Sequence, residues 1–385
     1  MQRKILIGIV LMPLVILAGM GQHLFGQAAA AQPPQRAGGV PTFQLDPSWP
    51  KLPAKWKLGM VSSVAVDAQD HVWILHRPRT LSDQENAMAA PPVLEFDAAG
   101  NFMQAWGGPG DGYEWPEREH GIHVDYKGNV WIGGNNYPAR KDPGLKRVSD
   151  DQLLKFTTSG KLVMQIGHSN KSGGNSDTKN MHMPSAAFVY PKTNEVFVAD
   201  GYGNHRMIVL NADTGAFKRM WGAFGNTPVD TPPLGVEITP AMVPDDGSPG
   251  RQQFDIVHAA LVSDDGMVYV ADRENKRVQV FTLDGTFVKQ AFIRRNETSE
   301  SRTTCSLAFS PAPQQQFLYL GGLGQDGQVV IVNRKTLEVV GSFGRREGFT
   351  GAHGMAADSK GNIYTATGNA PRKFVAKGLS SAPSR

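Results

Sequence analysis

The 385-residue chain has one cysteine, Cys305, so no disulfide can form within it even in an oxidising compartment. Stability must come from a packed core. There is no strong charge imbalance and no basic run, with 39 Lys and Arg against 35 Asp and Glu. That excludes the electrostatic footprint of a nucleic-acid binder. No apolar stretch reaches the roughly 20 residues of a spanning helix. The longest, Ile5 to Leu17, follows Arg3 and Lys4 and precedes the small residues Ala28 to Ala31. This is the pattern of a signal peptide over residues 1–31, so the chain is expected to be exported, periplasmic or secreted, with no stable membrane span after cleavage. Taking Arg3 and Lys4 from the 39 basic residues leaves 37, a near-neutral mature chain.

What the sequence has in quantity is turn chemistry, with 43 Gly and 26 Pro. A Pro/Gly/Gln stretch over residues 32–41 reads as a linker, and residues 378–385 as a flexible tail. Between them, over residues 42–377, one pattern recurs. Residues 258–281, HAALVSDDGMVYVADRENKRVQVF, show three alternating apolar runs separated by polar turns, three antiparallel strands. Related stretches begin near residues 62, 120, 185, 305 and 353, and each full copy adds a fourth run, such as TLDGTFVKQAF to Phe292. Six copies of a four-stranded unit predict an all-β, six-bladed β-propeller. The sixth copy has only RKFVAK after its second run, and an orphan alternating segment, residues 42–46, precedes the first. This segment is expected to complete the last blade and close the ring, removing open sheet edges.

In such a disc the turns on one face are short: DAQDH, DYKGN, SDDG. The long insertions, at 78–92, 135–151, 168–184, 223–255 and 293–304, all fall on the opposite face, where function is expected. The first inner-strand position of successive blades reads Ser62, His120, Ser185, His258, Cys305 and His353. Alternate blades are about a third of a turn apart, so His120, His258 and His353 should converge on the axis with an open position toward the decorated face. That is a catalytic zinc donor set. Each histidine alone would pass for a channel-facing polar residue; the symmetry sets the three apart from His71, His123, His168, His182 and His205. Just past the second strands lie Arg77, Tyr202 and Arg273, on the same rim. Two arginines there could hold a carboxylate, and a tyrosine beside cations could remove a proton. Asp200 with Arg206 and Asp272 with Arg277 recur in register and read as blade-locking ion pairs. Cys305 reads as a small packed residue.

The phrases VADGYGNHR and VADRENKR, with a G-x-[FL] return, resemble the NHL repeat. Across all six blades the wording also resembles the peptidyl-α-hydroxyglycine α-amidating lyase family, above all in HGIHVDYKGNVWIGG, VFVADGYGNHR, VYVADRENKRVQVF and AHGMAADSKGNIY. The resemblance implies zinc on His120, His258 and His353, a tyrosine base at Tyr202, and substrate arginines at Arg77 and Arg273. It implies a small-molecule or peptide carbinolamide substrate at the channel mouth, cleaved to an amide and glyoxylate by a monomeric enzyme. The chain departs from the family at Gly354, where a calcium-binding Asp is usual beside carbonyls such as that of Ile122, so calcium is not expected. It departs again at Gly351, a methionine in the family. Two other classes fit the scaffold: a non-catalytic NHL-type propeller that binds a protein or glycan, and another exported propeller hydrolase or lactonase. A bound metal separates the first from the enzyme, and acidic or amide ligands would mark the second.

Overall fold

The computed structural model describes residues 39–142, 144–230, 247–296, 302–324, 327–344, 349, 351–368 and 370–380. The leader expected over residues 1–31, and the linker as far as residue 38, lie outside these. The described residues form six four-stranded antiparallel sheets, the blades of a β-propeller, with three short 3-10 turns as the helical content. No helix among them is long and apolar enough to cross a membrane.

Period-two patterning explains the ring. In the second strand of blade four, Met267–Asp272, Val268 and Val270 pack toward blade three while Tyr269 and Ala271 pack toward blade five. Every seam repeats this. Trp73 and Leu75 of blade one meet Ile122 and Ile132 of blade two. Trp131 and Leu153 meet Val196 and Ile208 of blade three. Tyr319 and Ile331 of blade five meet Ile363 and Phe374 of blade six. Tyr364 and Ala366 meet Val61 and Ile74, bringing blade six back onto blade one. With both faces of each sheet covered, the strands read as nearly continuous apolar runs where they are most buried.

The ring closes through the N-terminal strand Val40–Asp46, which pairs antiparallel with Arg372–Ser380 as the outer strand of blade six. The expected closure is present, with different bounds. The strand starts at Val40, inside the stretch read as linker, and its partner runs through Gly378 to Ser380, into the stretch read as a flexible tail. Burial is the reason at Val40, which sits in the seam with Tyr319 and Ile331; the exposed end of the partner strand is held by main-chain pairing, Pro41 with Leu379 and Val40 with Ser380.

Two wholly buried ion pairs stand directly opposite each other in register, Asp200–Arg206 at 2.9 Å and Asp272–Arg277 at 2.7 Å. They tie long loops to blades. Asp200 accepts from the His182 N–H and Asp272 from the Asp255 N–H, just before the next inner strand. Arg206 donates to the carbonyls of Asn175, Asp177 and Asn180, and Arg277 to those of Pro249 and Gln253. The pairs read in the sequence as blade locks are therefore also loop anchors. Asp200→Ala leaves Arg206 buried without its counter-charge and is expected to cost about 3–5 kcal/mol in urea unfolding. Glu85→Ala, at the exposed Lys57–Glu85 pair, should leave the midpoint at its wild-type value.

Candidate metal centre and its surroundings

Each blade starts its inner strand at the decorated end of the channel. In blades one, two and four the residue there is an extra one in the ladder. The register shifts between Val61 and Ser63, between Glu119 and Gly121, and between Val257 and Ala259. Such a bulge re-aims the side chain it carries. His120 and His258 thus leave the plane of their sheets and turn to the axis. His353 immediately precedes its strand, Gly354–Ala357.

The three imidazoles form a nearly equilateral triangle. Ring centroids are 4.9 Å apart for His120–His258, 4.7 Å for His120–His353 and 4.7 Å for His258–His353. Their ligand atoms all lie within 4.8 Å of one another. Each Nδ1 is spoken for by the next blade. His120 Nδ1 meets the Ser185 carbonyl at 2.7 Å, His258 Nδ1 that of Cys305 at 2.6 Å, and His353 Nδ1 that of Ser62 at 2.7 Å. A carbonyl only accepts, so Nδ1 carries the proton and Nε2 keeps its lone pair. This is the hydrogen bonding that orients a metal-ligating histidine. Around the ring the blades alternate in role: one supplies the imidazole and its neighbour the main-chain carbonyl.

Protonation does not compete. Burial, then the neighbouring His353 and His258, pushes the His120 pKa well below its ordinary value. Burial, with Arg77 next in effect, pushes that of His353 down to about 3. Three Nε2 atoms converging on one point fit a zinc-like cation, whose nitrogen ligands sit about 2.0–2.1 Å from the ion.

Tyr202 and the two rim arginines join this cluster. The Tyr202 Oη is 2.9 Å from His120 Nε2 and 3.1 Å from His258 Nε2, and it accepts from Arg273 Nη1 at 2.9 Å. Arg273 is itself held by Glu274 through Nε and Nη2, both at 2.8 Å. Burial opposes its charge, but Tyr202 and Glu274 outweigh burial and raise its pKa. Arg77 is buried too. Its Nε donates to the Glu119 carbonyl at 2.7 Å, its Nη1 to the Met60 sulfur at 3.2 Å, and its Nη2 has no partner. Burial, then Arg118, pushes its pKa down to about 9. A buried guanidinium with an idle donor favours an anionic guest.

All six residues singled out in the sequence therefore meet at one end of the channel. Sequence reasoning did not find the carbonyl partners, the acids Glu119 and Glu274, or the bulges. A carbonyl leaves no mark on residue identity. The acids did have one, as direct neighbours of His120 and Arg273. Cys305 is buried, as its small-residue reading implied, and contributes its carbonyl. Below the histidines the channel holds a cavity of about 350 Å³, lined by residues such as Ala187, Ala260, Leu307 and Ala356. At Gly354 a Cβ would come within 2.8 Å of the Ser63 Cα, so a side chain does not fit there without a backbone shift. A second His/acid group, Asp67, His71 and Glu95, is internally satisfied. Glu95 takes His71 Nδ1 and Gln104, and Asp67 takes Trp73 Nε1 and two main-chain N–H groups.

Comparison with known proteins agrees with the propeller fold. An NHL repeat model matches residues 259–281. The chain is 28% identical over 360 residues to peptidyl-glycine alpha-amidating monooxygenase B of Xenopus laevis, covering 86% of this chain and 35% of that protein. It is 29% identical over 194 residues to peptidyl-alpha-hydroxyglycine alpha-amidating lyase 2 of Drosophila melanogaster, covering 46% and 42%. It is 27% identical over 248 residues to NHL repeat-containing protein 3 of Homo sapiens, covering 63% and 57%. The chain spans about a third of the length of the amidating monooxygenases it matches. Among solved structures, a streptogramin B lyase superposes with a TM-score of 0.52 at 11% identity, over 87% of this chain and 98% of that one, a likeness of fold. The chain is thus a six-bladed propeller with an NHL repeat and similarity to amidating lyases and monooxygenases.

Purified protein should carry one metal ion per chain by elemental mass analysis. His258→Ala should lose it and His71→Ala should keep it; an ion retained by a folded His258→Ala would rule out the centre.

Proposed function

We propose that the protein is an exported, zinc-dependent lyase that cleaves a carbinolamide, R–CO–NH–CH(OH)–COO⁻, to an amide and glyoxylate. The observation that carries the reading is the convergence of three Nε2 atoms on a point that the Tyr202 Oη borders and two buried arginines flank. The amidating relatives add support, since a propeller alone hosts many chemistries.

His120, His258 and His353 would hold the metal. Once bound, it supplies Lewis acidity, lowering the pKa of a hydroxyl beside it. Arg77 and Arg273 grip the substrate carboxylate by charge-assisted hydrogen bonds, which fixes the hydroxyl toward Tyr202. The Tyr202 Oη, acting as a phenolate beside the Arg273 guanidinium, takes the hydroxyl proton. The O–H electron pair becomes the second C–O bond of glyoxylate while the C–N bond breaks. Its electrons go to the amide nitrogen, which takes up the proton that Tyr202 gives back. Nothing is oxidised or reduced overall. The channel mouth and its long loops receive the acyl part, which a monomer can do unaided.

A second reading is a propeller that binds a partner on its decorated face without chemistry; the similarity to NHL repeat-containing protein 3, whose name states a repeat and no reaction, leaves room for it. Tyr202→Phe separates the two. It removes one oxygen and leaves the three imidazoles in place. Glyoxylate release from an α-hydroxyglycine compound should fall at least about a hundredfold, in the range of a lost general base, with metal content unchanged. Retained turnover would remove Tyr202 from the base role.

A further inference from the structure

Four buried donors without a partner lie in one corner of the decorated face, where blade one meets blade two: Arg77 Nη2, Arg79 Nη2, Arg140 Nε and Asn135 Nδ2. The main chain at residues 117–119 gathers three of their parent residues. The Glu119 carbonyl accepts from Arg77 Nε at 2.7 Å, the Glu117 carbonyl from Arg79 Nε at 3.1 Å, and the Arg118 carbonyl from the Asn135 N–H at 3.0 Å. Asn135 follows its second strand at the position that Arg77 and Arg273 hold in blades one and four, so it belongs to the same rim. This is legible from the ladders, in which Gly133, Leu75 and Ala271 pair with equivalent inner-strand residues.

Arg118 adds a fourth guanidinium. Its Nη1 donates to Asn135 Oδ1 at 2.7 Å, leaving the amide nitrogen as the idle end. The acids nearby are few and mostly committed. Arg118 Nε and Arg140 Nη1 share one carboxylate, Asp142, at 3.3 and 3.8 Å. Glu117 pairs with Lys146 at 2.9 Å. Asp150 accepts from the main-chain N–H groups of Glu117, Arg118 and Asn136. Glu119 accepts from Trp115 Nε1 through Oε1, and its Oε2 is a carboxylate oxygen left without a partner, so it and Asp142 are the two acids that face the guanidinium groups. Four guanidinium groups thus outnumber the carboxylates free to face them. The corner lies within electrostatic reach of the histidine centre: the charge of Arg118 is felt at Arg77 and at His353, and that of Arg140 by Tyr202.

We infer that the substrate is a dianion, with a second carboxylate on its acyl portion received by Arg79, Arg118, Arg140 and the Asn135 amide. Arg77 and Arg273 take the glycine-derived carboxylate in the reading above, and the remaining guanidinium groups and amide form a second anion subsite. A planar carboxylate suits the forked donors of arginine. The inference rests on the lyase reading only for which end of the molecule faces the histidines.

Two isosteric pairs test it with the full-length, metal-loaded protein. N-glutarylglycine and N-pentanoylglycine differ at the acyl terminus by a carboxylate and do not react, so calorimetry reads binding alone. Their α-hydroxyglycine counterparts report glyoxylate release. Wild type should prefer the glutaryl member of each pair by at least about tenfold, the effect of one charge-assisted contact at a partly exposed site. Arg118→Gln and Arg140→Gln should bring the preference close to one. Asp142→Asn should enlarge it, a gain that misfolding cannot imitate. Equal binding of the two glycines by wild type, or binding of neither, overturns the inference. A binding preference without glyoxylate from either hydroxylated compound would sustain the subsite and sink the lyase reading.

Discussion

Three hydrogen bonds from imidazole Nδ1 to a main-chain carbonyl of the next blade are the constraint on which the centre depends. Each spans a seam between blades, so the triangle of histidines is rigid only if the ring is closed and packed. Closure comes from the N-terminal strand on the last blade, and packing from six apolar seams that cover both faces of every sheet. The imidazole Nδ1 atoms are satisfied by main chain of the ring itself, which holds the three rings in one conformation, while idle donors such as Arg77 Nη2 lie at the rim.

Around that rigid point the decorated face is fastened by charge. Asp200–Arg206 and Asp272–Arg277 look like strand-to-strand pairs, yet most of their hydrogen bonds go to loop main chain. Buried ion pairs contribute little net stability against an apolar alternative, so a positional role explains them better. Blade one carries His76 and Arg77 where blades three and four carry their aspartates and the residues that follow. His76 is turned to neutral use: burial pushes its pKa down to about 4, and it bonds the Gly59 N–H and the Pro91 carbonyl. The slot that locks a loop through aspartate in blades three and four thus holds in blade one a neutral histidine bonded to main chain.

Much of this was legible in the residues because the fold is a repeat. Six copies with period-two strands define the blades, and comparison of equivalent positions isolates His120, His258 and His353 from seven other histidines. Arg77, Tyr202 and Arg273 stood out by departing from the repeat at the same rim. What could not be read is whatever the main chain does. The bulges that aim His120 and His258, and the carbonyls that fix their tautomers, leave residue identity untouched. The strand bound at Val40 was missed because burial in a seam outweighed the local Pro/Gly composition, and that at Ser380 because main-chain pairing with the same strand carries the exposed end onward. The arginine corner was hidden for another reason. Arg79, Arg118 and Arg140 come from three separate loop segments, and only the folded chain brings them to one corner, two of them on the Asp142 carboxylate.

The most direct measurement is glyoxylate formation from an N-acyl-α-hydroxyglycine by wild-type protein whose metal content has been determined on the same sample. A metal-dependent lyase yields glyoxylate and the amide in equal amounts, stops when a chelator removes the ion, and resumes when zinc is restored. Protein that holds its metal on the three histidines yet releases no glyoxylate from neutral or acidic acyl compounds would contradict the lyase reading.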